Sequence, residues 1–252
     1  MDDILTVNSV PVTDTSITAI QNHLYNPYTT AFANNDEIRI AIQQQDIYVW
    51  PHDSALLIEG VFQRIQMVVG NNEAQPDIAA IINNAIAFLF DEIRYELNGF
   101  EIDRCKNLGI TGTLKGYISR TVNNAYEYEG AGWAQSDAAA RQFAALPQSF
   151  QYVMPLKMIL GFAEDYRKIV MSAKHELILV RARNDVNSFQ GPAVNVTAQI
   201  HRIQWKMPHI HVSDATRLTL LKTIGRRQFI SMCFRSWDLY EYPTLQSKRP
   251  AN

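Results

Sequence analysis

The sequence predicts an all-β fold: a jelly-roll β-sandwich with short helices in its loops. Three observations carry that prediction. Several segments alternate apolar and polar residues with a period of two. The pair Asn98-Gly99 marks a tight hairpin. Long helical periodicities are scarce, so stacked sheets are the packing that buries these faces.

Residues 1–33 are polar and patternless and include Pro11 and Pro27, so they are expected to form an extended arm with at most a short turn over 17–24. From Asp36 the pattern changes. Ile38, Ile40 and Ile42 alternate with Glu37, Arg39 and Ala41, as in a half-buried strand. Trp50-Pro51 closes this segment, and residues 55–67 read as the next strand, with Gly60 marking a bulge. Residues 70–77 form a polar loop.

Residues 91–104 carry the strongest local signal. Asn98-Gly99 suits a two-residue turn in which both positions need positive φ. That turn sets Leu97 opposite Phe100, Glu96 opposite Glu101, Tyr95 opposite Ile102 and Arg94 opposite Asp103. The four apolar residues then share one face, and an Arg94–Asp103 pair relieves the facing glutamates.

Residues 110–120 read as a short helix weakened by Gly112 and Gly116. Residues 121–147 read as a long surface loop with one or two helical turns over 138–146. Residues 149–158 form a strand that Pro155 places at an edge or an end. Residues 175–183 are apolar on both faces until Arg181, as a doubly buried strand would be. A turn-rich loop follows over 184–195, then an alternating strand over 196–212. Ser213 suits an N-cap, Asp214 the first helical turn and Gly225 a C-cap. Between them Leu218, Leu221 and Ile224 fall at helical spacing. A last strand is expected over 229–237 and a frayed tail over 243–252.

Composition narrows the function classes. Of 252 residues, 47% are hydrophobic, which supports a buried core and argues against disorder. No apolar run approaches the ~18 residues of a membrane span, and the acidic start MDDILTVNSV lacks the features of a secretory signal. Charge is graded along the chain. Residues 1–100 carry 3 Lys/Arg against 13 Asp/Glu, whereas residues 201–252 carry 9 against 3. Such a gradient favours head-to-tail contact between copies if folding keeps it polarised.

Catalytic constellations are absent from the motifs: there is no phosphate loop, GxSxG, HExxH or CxxC. His209 and His211 would share one strand face with His201 further along, yet no acidic or thiol ligand completes a metal site nearby. Pro208 places the pair at a strand end. Cys105 lies between Arg104 and Lys106, which would lower its pKa, but no base accompanies it; Cys233 is expected to pack in a core. The pairs Asp91/Glu92 and Glu164/Asp165 read as solvated charge, and Asn195-Val196-Thr197 as an unused glycosylation pattern. Trp50, Trp133, Trp205 and Trp237 read as core or interface residues. No catalytic, cofactor-binding or metal-binding residue is assigned, and no cofactor is expected.

Five ordered blocks carry a family likeness: residues 37–48 (EIRIAIQQQDIY), 83–119 (NNAIAFLFDEIRYELNGFEIDRCKNLGITGTLKGYIS), 155–185, 204–214 (QWKMPHIHVSD) and 234–243 (FRSWDLYEYP). Together they resemble the double jelly-roll capsid-like proteins of arthropod genomes, relatives of Polinton/Maverick and adintovirus major capsid proteins. The resemblance implies two rolls side by side, trimeric pseudo-hexagonal capsomers and an icosahedral shell. It divides the chain into an arm (1–36), a first jelly roll (37–212), a linking helix (213–225) and the first strand of a truncated second roll with a tail (226–252). Sixteen strands with their connections would need well over ~300 residues. The strand expected over 229–237 would therefore join the first roll, pair with another chain or stay exposed as an edge. The implied role is structural, with this chain or other capsid subunits as partner. It implies no enzyme, no membrane and no nucleic acid beyond an enclosed genome, and a place in a virion or else inside the cell. The alternative reading is a non-enzymatic β-sandwich binding module that interferes with capsid assembly.

Overall fold

The computed structural model describes residues 15–44, 46–64, 80–133, 141–142, 146–190, 196–226 and 229–240. Eight main strands build it: β1 (Ile17–Tyr25), β2 (Glu37–Ile42), β3 (Ala55–Arg64), β4 (Phe90–Leu97), β5 (Phe100–Lys106), β6 (Gln148–Pro155), β7 (His175–Arg181) and β8 (Val196–Val212). They pair antiparallel in nested fashion, β4 with β5, β3 with β6, β2 with β7 and β1 with β8. Cross-pairing of β8 with β3 and of β7 with β4 then closes two sheets, β1-β8-β3-β6 and β2-β7-β4-β5. A long hairpin rolled up on itself gives this nesting, and the fold is a jelly-roll β-sandwich. Two-residue strands at Tyr48–Val49 and Val170–Met171 extend the first sheet, and a small third sheet joins Ala80–Ile81, Arg141–Gln142 and Phe189–Gln190.

The core lies between the sheets, where the period-two pattern sends it. Ile38, Ile40 and Ile42 of β2 are fully buried. Each such side chain contributes about 1.5–3 kcal/mol on leaving water. β7 is central in its sheet and buried on both faces, as its continuous apolar run requires. Across the core, Trp205 of β8 meets the ring of Tyr95 on β4 edge-on at 6.1 Å. The Tyr95 hydroxyl lies 2.6 Å from His175 Nδ1. Arg181 closes one end of the sandwich. Its guanidinium donates to the Leu89 carbonyl at 2.5 Å, to Asp185 at 2.7 Å and to the Ala198 carbonyl of β8 at 3.2 Å.

Several expectations need correction. The arm contains a full strand, β1, paired with β8 from Ile17↔Val212 to Tyr25↔Trp205. Both its faces are largely exposed, so no alternation betrays it; the ladder to β8 decides its conformation. In the hairpin, Asn98 and Gly99 take φ of 53° and 81°, as the turn demands. Beyond Glu96↔Glu101 the register shifts, so Tyr95 faces Asp103 and Arg94 faces Arg104. Ile102 is the extra residue of a bulge, which turns Asp103 inward to accept the Phe162 N–H at 2.8 Å. Arg94 pairs instead with Glu37 at 2.9 Å, and Phe100 is exposed.

The bulge expected at Gly60 lies opposite it, where β8 carries His201 as an extra residue between Ile200 and Arg202. Pro208 does not end β8. Its backbone faces the side where β8 passes from β3 to the short 48–49 strand, and its carbonyl accepts the Trp50 N–H at 3.0 Å. A missing donor is tolerated in that gap.

Four helices sit outside the sheets: α1 (Leu108–Ser119), α2 (Ala125–Gly130), α3 (Gly161–Asp165) and α4 (Asp214–Gly225). α1 and α4 match the helices expected from sequence, with Ser213 as N-cap of α4 and Arg226, one residue past Gly225, as its C-cap. The helical turns expected over 138–146 fall largely outside the described residues, and Arg141–Gln142 is a short strand. Residues 229–240 form no strand and have no ladder partner among the described residues.

Candidate assembly interface

The residues singled out for chemistry scatter. His209 is buried on β8, His211 is exposed two residues further on, and His201 is exposed at the bulge. His209 meets β1 instead. Its ring stacks on His23 at 4.0 Å, and its Nε2 lies 2.8 Å from the Tyr25 hydroxyl. Burial, then the nearby His23 and His211, push the His209 pKa down to about 4; burial, then His209, does the same to His175. Both imidazoles are therefore neutral near pH 7. Among the described residues, no three His, Cys, Asp or Glu side chains converge to hold a metal ion.

Cys105 corrects its expectation. It is 1% exposed, and burial raises its pKa to about 11 despite the neighbouring cations. Arg104 and Lys106 point outward from the strand while the thiol points inward. Cys233, expected in a core, is exposed because its segment forms no strand. Asp91 is exposed, and Glu92 pairs with Arg94 at 3.1 Å. Asn195 lies outside the described residues. Trp205 and Trp133 are core residues, whereas Trp50 and Trp237 are half-buried.

Glu164 and Asp165 are not free surface charge. They hold residues 229–240 against α3. Arg235 grips Asp165 with Nη2 at 2.7 Å, Nε at 2.8 Å and its backbone N–H at 2.9 Å. Those hydrogen bonds hold the Asp165 pKa down to about 2. Phe234 meets Phe162 edge-on at 5.3 Å. Gly161 is obligatory at this contact, since a Cβ there would run into the Arg235 carbonyl. Glu164 pairs with Lys115 at 2.8 Å, and Lys115 lies 5.6 Å from the Trp237 ring centre.

Lys115 belongs to the buried face of α1, and that helix is inverted. Its inner side consists of Leu108, Gly109, Thr111, Gly112, Lys115 and Gly116. Gly116 lets the backbone lie on Trp133, where a Cβ would overlap the indole. Its outer side presents Ile110, Leu114, Tyr117 and Ile118, the last 79% exposed. Val122 and Tyr126 continue the apolar strip. α4 buries no residue: Thr216, Leu220 and Thr223 are half-buried, and Leu218, Leu221 and Ile224 are exposed. Soluble helices normally turn the apolar stripe inward. α1 reverses that rule, and the exposed apolar rows of α1 and α4 are candidate interaction surfaces. The sequence held the helical spacing of Leu218, Leu221 and Ile224 but not the direction in which it points.

The comparisons with known proteins agree with this fold. The profile of the double jelly roll-like domain matches residues 79–251. No curated protein matches the sequence. Among solved structures, the Faustovirus major capsid protein is similar with a TM-score of 0.57 at 10% identity, over 87% of this chain and 58% of that one. The Sputnik virophage structure gives 0.55 at 11% identity, over 85% and 52%. The PBCV-1 virus capsid gives 0.53 at 12% identity, over 84% and 46%. The chain thus spans about half the length of these structures.

The fold is a jelly roll of the kind seen in viral capsid structures, with nested strand pairs and outward-facing helices. The chain belongs to the double jelly roll-like domain family. No helix among the described residues is long and apolar enough to cross a membrane.

Proposed function

We propose that this protein is a capsid-type structural subunit that works by binding copies of itself. The observation that carries the reading is the pair of exposed apolar rows, on α1 and α4, carried by a jelly-roll sandwich. Their leucine and isoleucine rows stand exposed among the described residues. Family membership and likeness to capsid structures support the same reading. Trimeric, pseudo-hexagonal capsomers closing into an icosahedral shell are the assembly we propose. We place the subunit in a virion when assembled, and we read the chain as a genome-resident relative of Polinton-type capsid proteins. Within it, residues 37–212 with β1 serve as the first roll, 213–225 as a link and 226–252 as the start of a second roll. The subunit acts without cofactor, metal or catalytic residue.

Electron microscopy of purified protein tests the reading. Uniform ring-like capsomers or closed shells are expected. Deleting residues 226–252 is expected to change their size. Isolated single chains at tens of micromolar, indifferent to the deletion, would contradict it.

A further inference from the structure

We propose that the contact between copies is heterologous: the outer face of α4 on one copy seats on the outer face of α1 on the next. This inference rests on the self-association proposed above and names the surfaces that mediate it. Geometry supports it first. On α1 the exposed row Ile110, Leu114, Ile118 runs in steps of four. On α4 the exposed row Leu218, Leu221, Ile224 runs in steps of three. A step-four ridge fits the groove beside a step-three ridge, with axes about 20° apart. Both helices are 12 residues long, so the two rows have equal reach.

Charge supports it next. Beside its apolar row, α4 exposes Arg217 and Lys222, with Arg226 at its end and Asp214 as its only acid. The strip that continues α1 ends on α2, where Tyr126 is flanked by exposed Glu127 and Glu129. Arg120 and Lys157, which pairs with Glu127 at 2.8 Å, offset part of that acidity. An α4–α4 contact would set three basic side chains against their own copies. An α1–α1 contact would leave the α4 row in water. The mixed contact covers both rows with one kind of interface and brings basic side chains toward Glu127 and Glu129.

A heterologous contact has two unlike halves, and each can be blocked alone. Leu114→Glu blocks the α1 half, and Leu221→Glu the α4 half. Both positions are exposed, so the fold survives, and thermal melts check this. Sedimentation velocity is run on wild type, each variant and an equimolar mixture of the two. The wild type is expected to associate, and each variant alone to sediment as a single chain of 28.7 kDa. The mixture is expected to form a dimer and nothing larger, since one live half remains on each partner. Raising salt is expected to weaken that dimer.

Wild type that associates while neither variant changes it overturns the contact and leaves self-association standing. Loss of association with Leu114→Glu only, or with Leu221→Glu only, also overturns it, since a helix would then meet its own copy or another surface. A mixture that stays monomeric overturns it too. Monomeric wild type overturns both the contact and the self-association on which it rests.

Discussion

Arg181 and Asp185 form an ion pair at 2.7 Å that is sealed from solvent at the end of the sandwich. Both side chains are essentially fully buried, and each reaches from β7 and its following loop to β8. Asp185 accepts the Thr197 hydroxyl and the Ala198 N–H, both at 2.9 Å, while Arg181 takes the Leu89 and Ala198 carbonyls. The pair joins the two sheets where the β7–β8 connection leaves them. Removing one partner strands the other charge in the core. Asp185→Ala is expected to cost about 3–5 kcal/mol of unfolding free energy, and Asp185→Asn less. Urea unfolding measures both.

Acid is expected to weaken the fold through its histidines. His175 and His209 have pKa values near 4 in the folded chain, against 6.5 when exposed. The unfolded chain therefore binds more protons between these values, and stability falls as pH drops from about 6.5 toward 4. Above that window their contribution is complete; below it no further loss comes from them. For His175 alone the loss by pH 5 is on the order of 2 kcal/mol. Thermal melts at pH 7 and pH 5 measure it, and His175→Gln is expected to reduce the difference while His209 keeps its share.

The two thiols are expected to react at different rates. Cys233 is exposed, and Cys105 is buried with its pKa raised to about 11. A thiol reagent at pH 8 is expected to label one cysteine per native chain and two in denaturant. Peptide mapping should place the native label on Cys233.

Residues 229–240 are expected to leave the sandwich when their seat is filled. Gly161→Val puts a side chain where the Arg235 carbonyl lies. Trypsin is then expected to cut after Arg235 at least about tenfold faster than in wild type, because a released segment is open to the protease. Mass spectrometry of timed digests reads the rate.

How far the sequence disclosed all this depends on what each residue reports. The isoleucines of β2 and the run in β7 announce their burial because one or both faces pack against the core. Asn98-Gly99 announces its turn because few other pairs accept positive φ twice. β1 gives no such signal, since its conformation comes from a backbone ladder to β8, 180 residues away in sequence. The bulge at Ile102 was hidden because it serves Asp103, whose partner is the Phe162 N–H on a distant helix. Cys233 and Asp165 depart from expectation for one reason: residues 229–240 pack through side chains on α3, not through a sheet. The inversion of α1 was invisible because Gly112 and Gly116 look like helix weakening until Trp133 lies against Gly116.

Self-association is the claim on which the functional reading stands. Light scattering coupled to size-exclusion chromatography, from about 1 to 100 µM, tests it most directly. Masses at whole multiples of 28.7 kDa that grow with concentration toward a defined oligomer are expected. A constant mass of 28.7 kDa across the whole range would contradict it.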